Sequence, residues 1–307
     1  MSLLFVSAVE NAADWIGPLT DAFPGEELRV WPAVGDPAEV RVAFVAKPPP
    51  GVLATLSNLE LIVSMWVGVD GILADPTLPR RVPLTRMIDP VMTALMTESV
   101  CHHVLYLHRQ IPAYQAQARS RVWRQLPQSP ASATRVGILG HGTLGRDAAA
   151  KLRSLGFDVA CWSRRPREEP GLFTGDAGFE PFLARTDILV CLLPATAETR
   201  GLICARNLTL LPRGASLVNV ARGVIVNDAD LLAALDSGHI AHAVLDVFHT
   251  EPLPAENPFW THPAVTVLPH VAAISPPESC VVQAAETVRR FRAGLDLPNR
   301  VDPLAGY

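Results

Sequence analysis

Short, unbroken apolar runs set between polar turns make up most of the first hundred residues. The runs at 3–7, 28–31, 42–45 and 61–64, with a short piece at 82–84, read as strands. Clusters such as Lys47-Pro48-Pro49-Pro50-Gly51 mark the turns. Strand signals alternating with helical ones imply a parallel sheet. From 89 to about 117 the period lengthens: Met92, Leu95, Met96, Val100, Val104, Leu107 and Ile111 recur at helical spacing. That pattern predicts one long helix bridging two domains. Beyond it, strands are expected at 136–139, 159–162, 187–193, 216–220, 243–248 and 265–268. Helices are expected from the glycines after 139 through 155, at 199–211 and at 228–237, with Gly238 past the last one's end. A final helix at 283–291 should return to the first domain. The fold class is α/β, with two Rossmann-like or flavodoxin-like domains of doubly wound parallel sheet. The expected division is 1–98 plus 277–307 for the first domain and 99–276 for the second.

The stretch RVGILGHGTLGRDAAAKLRSLGFDVACWSRRP organises the second domain. Gly140, Gly142 and Gly145 stand in G-x-G-x-x-G spacing between an apolar strand and a helix. In that context the first glycine permits a tight turn, the second lets backbone approach a pyrophosphate, and the third lets helix and strand pack closely. The turn, with His141, Thr143 and Leu144, is therefore a dinucleotide-phosphate site at a helix N-terminus. An NAD site needs a carboxylate at the far end of the second strand, to accept from the ribose 2′-hydroxyl. Cys161, Trp162 and Ser163 stand there, and Asp158 lies at the wrong end of that strand. Arg164 and Arg165 follow, and a guanidinium grips a 2′-phosphate. The expected cofactor is NADP(H), preferred over NAD(H). Leu193, Pro194 and Thr199, in and after the loop that ends strand 187–193, and Val220 and Ala221 after the next strand, are placed to touch it.

Length and composition narrow the class. At 307 residues the chain exceeds one typical domain. With 49% apolar residues, 18% charged and a net charge of −4, it has an ordinary globular balance and no basic excess for nucleic acid. No run of about eighteen apolar residues suggests a membrane span. The opening SLLFVSAVE lacks a basic region and reads as a strand rather than a signal peptide. Cys101, Cys161, Cys191, Cys204 and Cys280 are odd in number and scattered, as expected of reduced core thiols in a cytoplasmic protein. His102, His103 and His108 lack i, i+4 pairing and a completing carboxylate, so no metal site is expected.

Three polar residues each follow an apolar strand of the second domain: Arg222 after LVNVA, Glu251 after LDVFHT, and His270 after VTVLP. Strand ends on a parallel sheet gather along one edge, where open α/β folds bind ligands. Reducing a 2-keto acid needs a cation to hold its carboxylate and polarise the keto oxygen. It also needs a general acid, and a carboxylate to keep that acid protonated. Arginine, histidine and glutamate supply these in turn, a neighbouring carboxylate raising a histidine's pKa. Asp246, within LDVF, is a further candidate, either facing the nicotinamide or in a purely structural role. In the first domain, Trp66-Val67-Gly68-Val69-Asp70 lies just past a strand's carboxyl end, where main-chain N–H groups can face a small anion.

With these motifs the chain resembles the D-isomer-specific 2-hydroxyacid dehydrogenases, and most closely their bacterial glyoxylate/hydroxypyruvate reductase A branch. The carrying segments are GILGHGTLG, CWSRRP, LLPATAETRGL, LVNVARGVIV, DLLAALDSGHI, LDVFHTEPLP, HPAVTVLPHVAAI and VDPLAGY. The resemblance implies hydride transfer from NADPH to glyoxylate or hydroxypyruvate, with the active site in the interdomain cleft of a homodimer joined through its cofactor domains. It implies that Arg222 binds substrate, that His270 donates the proton and that Glu251 supports it. Main chain at Val67 and Gly68 would hold the substrate carboxylate. Two departures bear on substrate. Ala46-Lys47-Pro48-Pro49 stands where the branch carries an aromatic residue before His-Pro-Pro, and Trp66 opens what is elsewhere a Gly-Ala-Gly-Val-Asp loop. Either Trp66 refills the lost ring's space and keeps the pocket small, or Trp66 points into the core and the pocket widens at Ala46, admitting a larger 2-keto acid. A non-catalytic NADP(H)-binding regulator of the same fold is the rival from another class.

Overall fold

The computed structural model describes residues 2–303 and Gly306. The chain divides into two compact units, one running to Met92 and resuming at Ser275, the other Thr93–Ile274. The sequence pattern set its two crossings at 98 and 276.

The first unit carries strands β1 (Ser2–Ser7), β2 (Glu27–Val30), β3 (Val40–Ala46), β4 (Leu61–Ser64) and β5 (Leu84–Thr85). They form one parallel sheet in the order β2-β1-β3-β4-β5, the flavodoxin-like arrangement. Both faces are buried, which is why the strands read as continuous apolar runs. Strand alternation sends Leu3, Phe5, Val42, Phe44 and Val63 to one face and Leu4, Val6, Ala43, Val45 and Ile62 to the other. Helix α1 (Ala12–Ala22) contributes Trp15 and Leu19 to the first face. The last helix of the chain, Pro277–Arg292, adds Cys280, Val281, Ala284 and Val288 to that same cluster. A short helix, α2 (Asp70–Leu73), follows the Trp66 loop.

The helical pattern of 89–117 is two helices, α3 (Pro90–His108) and α4 (Ile111–Arg119). Between them Gln110 takes a left-handed φ of 56°. Pro112 has no N–H to donate back to the preceding turn, so the single expected helix breaks there.

The second unit holds seven parallel strands: β6 (Arg135–Leu139), β7 (Asp158–Ser163), β8 (Leu172–Thr174), β9 (Ile188–Cys191), β10 (Ala215–Asn219), β11 (Ile240–Leu245) and β12 (Val265–Val267). Their order is β12-β11-β10-β9-β6-β7-β8, so the winding reverses between β6 and β9, the Rossmann switch point. Helices α5 (Thr143–Ser154), α6 (Gly175–Ala184), α7 (Ala205–Leu210), α8 (Asp228–Asp236) and, after the return to the first unit, α9 (Pro277–Arg292) complete the set. Strand β8 and helix α6 fill a stretch left unassigned by sequence pattern. The strand is a three-residue edge piece, and the helix carries Gly175, Gly178 and Pro181. The helix expected over 199–211 forms only at Ala205–Leu210. Gly201, at φ 65°, breaks the earlier turn, and Ile203 pairs with Val226 instead.

Gly145 lets α5 lie against the turn after β6: a Cβ there would sit 2.0 Å from the Gly140 carbonyl oxygen. Around Gly142 the space is open to beyond 4 Å. Gly145→Ala should therefore lower the folding free energy by about 1–3 kcal/mol, the usual range for overpacking. Gly142→Ala should stay within about 1 kcal/mol, near the entropy difference between the two residues. Denaturant midpoints measured on both variants check this, and equal midpoints would contradict the close packing.

Candidate active site

Gly140 follows β6 at φ 115°, and its N–H donates to the Trp162 carbonyl at 3.0 Å. That bond sets the glycine turn beside the carboxyl end of β7. The open side of Gly142 and the first residues of α5, Thr143 and Leu144, leave room and unspent N–H groups for a pyrophosphate. Ser163 is half-buried at the end of β7, and Arg164 and Arg165 beyond it are exposed. Asp158, at the entrance of β7, pairs with Arg185 at 2.5 Å and stays away from this end. The donor set therefore fits a dinucleotide with a phosphorylated ribose.

Other residues assigned to the cofactor from sequence fall less evenly. Leu193 and Pro194 are half-buried after β9, while Val220 and Ala221 are nearly buried after β10. The Thr199 hydroxyl donates to the Pro194 carbonyl at 2.7 Å and accepts from Thr196 N–H at 2.8 Å. Thr199 therefore braces the loop from within. His141 is joined to Glu169, a residue that sequence reading did not single out, at 2.7 Å.

Arg222, Glu251 and His270 come together at the carboxyl edge of β10, β11 and β12, three neighbours in the sheet. Gly223 makes the approach possible: a Cβ there would lie 2.0 Å from the Phe248 carbonyl carbon. The Arg222 turn thus rests directly on the loop that leads to Glu251. Asn219 ties this turn, its amide donating to the Arg222 carbonyl at 3.0 Å and its oxygen accepting from Ala221 N–H at 3.2 Å.

His270 and Glu251 form a hydrogen-bonded pair, Nδ1 to Oε2 at 2.8 Å. The other Glu251 oxygen accepts from Phe248 N–H at 2.9 Å. Burial works against the Glu251 charge. The His270 bond, the Phe248 N–H and the charges of His270 and Arg222 outweigh it and hold the carboxyl below its ordinary value. A carboxylate only accepts, so His270 donates through Nδ1 and presents Nε2 outward on a side chain that is 51% exposed.

His270 itself sits at φ 56°, a left-handed conformation that a side chain adopts at some energetic cost. Asp246 holds it there. His270 N–H donates to the Asp246 carbonyl at 2.9 Å, and the Asp246 carboxylate accepts from Val271 N–H at 2.8 Å and Ala272 N–H at 2.9 Å. The side chain is closed to solvent, and burial raises its pKa against the pull of the two N–H groups. Both Asp246 oxygens bond main chain, in the structural role that stood beside a nicotinamide contact as its alternative. The sequence signal for this role was present in an acidic residue within an otherwise apolar strand end.

In the first unit, Trp66 follows β4. Its carbonyl accepts from Met87 N–H at 3.1 Å and from the Ser64 hydroxyl at 2.9 Å. Its indole packs on the cluster that contains Ala46, Phe5, Met65 and Met87, and its Nε1 donates to Glu10 at 3.0 Å. Glu10 also takes the Trp15 indole N–H, at 3.3 Å, so one carboxylate fixes two rings. Val67 and Gly68 are half-buried beside it. Among the described residues no three histidine, cysteine, aspartate or glutamate side chains form a metal-binding group.

Comparison with known proteins gives a consistent result. The family model "D-isomer specific 2-hydroxyacid dehydrogenase, NAD binding domain" matches residues 101–272. Glyoxylate/hydroxypyruvate reductase A of Serratia proteamaculans is 38% identical over 314 aligned residues, covering all of both chains. A D-isomer specific 2-hydroxyacid dehydrogenase from Xanthobacter autotrophicus, solved in complex with NADPH and MES, superposes with a TM-score of 0.95 at 45% identity, covering 100% of this chain and 99% of that one. An NADPH-dependent glyoxylate/hydroxypyruvate reductase from Sinorhizobium meliloti, in complex with NADP and sulfate, gives a TM-score of 0.94 at 40% identity over the whole of both chains.

Replacing Asp246 by Asn exchanges one acceptor for a donor, leaving one buried main-chain N–H without a partner at about 1–3 kcal/mol. The expected outcome is a fall in kcat of about tenfold or more, on the scale by which 1.4 kcal/mol is a factor of ten, with nucleotide binding retained. Steady-state kinetics beside a nucleotide titration check it; unchanged kcat would separate Asp246 from the His270 loop.

Proposed function

The chain belongs to the D-isomer specific 2-hydroxyacid dehydrogenase family, and from that premise we propose that it reduces glyoxylate and hydroxypyruvate with NADPH to the corresponding 2-hydroxy acids, D-glycerate in the second case. The observation that carries this reading is the His270–Glu251 pair at 2.8 Å with Nε2 left outward, beside Arg222. The names of the relatives, and the NADPH and NADP held by the structural neighbours, support the substrate class and the cofactor.

When bound, the reduced nicotinamide supplies the hydride. The Arg222 guanidinium holds the substrate carboxylate and draws charge toward the keto oxygen. His270 gives that oxygen its proton from Nε2, and Glu251 stabilises the protonated ring beforehand through Nδ1. Trp66, Val67 and Gly68 are assigned to substrate recognition. A non-catalytic regulator has no need of a proton donor held in a left-handed conformation, so the His270 geometry favours the enzyme.

The same reading includes a homodimer joined through the 93–274 unit. Trp123 supports it: the indole is 99% exposed on an extended segment anchored by Tyr114 to Leu126 N–H at 3.1 Å and by Gln110 to the Pro127 carbonyl at 2.6 Å. We place the protein in the cytoplasm, supported by four buried cysteine thiols of the kind a reducing compartment maintains. No helix of the described residues is long and apolar enough to cross a membrane.

His270→Asn should reduce kcat by about 10²–10⁴, the usual contribution of general acid catalysis, while NADPH still binds. Loss of NADPH absorbance with glyoxylate as substrate reads this directly, and wild-type turnover in the variant would remove His270 from the mechanism. The substrate pocket is tested with a panel. The Trp66 indole packs on the core cluster that holds Ala46, the arrangement of the wider-pocket alternative, while the relatives' names support a kcat/KM that favours glyoxylate and hydroxypyruvate over phenylpyruvate. A clear preference for phenylpyruvate would establish the wider pocket instead.

A further inference from the structure

The loop between β7 and β8 doubles back onto the glycine turn. Glu169, at its end, sets Oε2 2.7 Å from His141 Nε2 and Oε1 3.0 Å from the Arg146 guanidinium. His141 occupies the second position of the glycine motif, and Arg146 lies in the first turns of α5. The His141 side chain is only 7% exposed, and its Nδ1 is buried without a hydrogen-bond partner. Glu169 itself stays 41% exposed. The His141 bond, opposed by partial desolvation and reinforced by the charges of Arg146, His141 and Arg167, holds its carboxyl below the ordinary value. Glu169 is thus a firm anion. A second carboxylate has taken one of the loop's cations as well, Glu198 lying 3.1 Å from Arg164.

This placement matters because the group that distinguishes the two dinucleotides belongs at the same corner. The Gly140–Trp162 bond puts the glycine turn against the carboxyl end of β7. A Rossmann fold sets the adenosine ribose 2′ position between those two elements. A 2′-phosphate carries about −1.5 to −2 charges at neutral pH, like other phosphomonoesters, and seeks the donors that Glu169 already binds. A carboxylate whose two oxygens engage a guanidinium and an imidazole occupies an anion site as a phosphate would.

We propose that Glu169 is an internal competitor for the 2′-phosphate and a determinant of cofactor selectivity, holding the preference for NADP(H) over NAD(H) below what Arg164 and Arg165 alone would give. The proposal rests on the dinucleotide reading above and goes beyond it in assigning an opposing residue. For the phosphorylated nucleotide to bind, Arg146 and His141 exchange one anion for another, and the displaced carboxylate remains within reach to repel it. The unphosphorylated nucleotide needs no such exchange.

The test uses adenosine 2′,5′-bisphosphate and 5′-ADP as probes, titrated by calorimetry against the full chain and its Glu169→Gln and Glu169→Ala variants. Both substitutions are on an exposed side chain, and the glutamine keeps a hydrogen bond to His141 while removing the charge. The bisphosphate should bind each variant about three- to tenfold more tightly than wild type at low salt, with the gain shrinking as ionic strength rises. Affinity for 5′-ADP should change less than about twofold, because that probe lacks the charge on which the effect depends. Unchanged or weaker bisphosphate binding in both variants would overturn the competitor role and leave the cofactor reading intact. A wild-type chain that binds neither probe would overturn the cofactor reading, and this inference with it.

Discussion

A parallel sheet delivers the carboxyl end of every strand to one edge, and the proposed chemistry depends on that constraint. Arg222, Glu251 and His270 are far apart in sequence, yet each leaves one of three adjacent strands on the same side. Pairing of β10 with β11 and of β11 with β12 fixes these exits in register before any side chain interacts. Gly223 then removes the clearance between two of the loops, and the Asp246 carboxylate gathers the third. The imidazole–carboxylate pair is the last contact in this hierarchy and the smallest. Its geometry is inherited from main-chain bonds, which is why a glycine and a buried aspartate matter as much to it as its own two members.

Strand positions were legible because residues buried on both sheet faces give apolar runs that nothing else produces. Two of the glycines with a steric role, Gly140 and Gly145, announced themselves by spacing. Helix α6 was not legible, since Gly175, Gly178 and Pro181 weaken local helix preference and packing of Phe179, Phe182 and Leu183 decides the outcome. The break before α4 was misread because the apolar period continues through Pro112, while the missing N–H does not show in a hydrophobic pattern. At the candidate edge the convergence of Arg222, Glu251 and His270 was readable from their positions after strands. Their supports were not. Asp246 was noticed with two roles open, because sequence gives a side chain's register and not the direction in which its oxygens find donors. Glu10 and Glu169 were not singled out, and only their partners, two indoles in one case and His141 with Arg146 in the other, distinguish them.

The distribution of unfavourable features follows the same map. A left-handed histidine and a desolvated aspartate lie next to one another on the candidate edge, each stabilised by main-chain hydrogen bonds from the other's loop. Away from that edge, charged groups take ordinary arrangements. Arg135 meets Asp187 through two nitrogens at 3.0 and 2.6 Å at the opposite end of the sheet, and Arg292 meets Glu26 at 2.7 and 2.6 Å. Left-handed residues also occur at Lys47, Gln110, Arg121 and Asn299, but among the described residues only His270 combines that conformation with a buried carboxylate bonded to its loop.

The returning helix α9 has a consequence for how the molecule is made. Leu3 and Val288 share one apolar cluster, so a face of the first sheet, covered in part by α1, stays incomplete until the C-terminal segment emerges from the ribosome. The Thr93–Ile274 unit is continuous and has all its strands by then. Synthesis order and completion order are therefore reversed, with the earliest residues the last to be sealed. During that interval the exposed apolar side of the nascent sheet is the part of the chain most in need of chaperone protection.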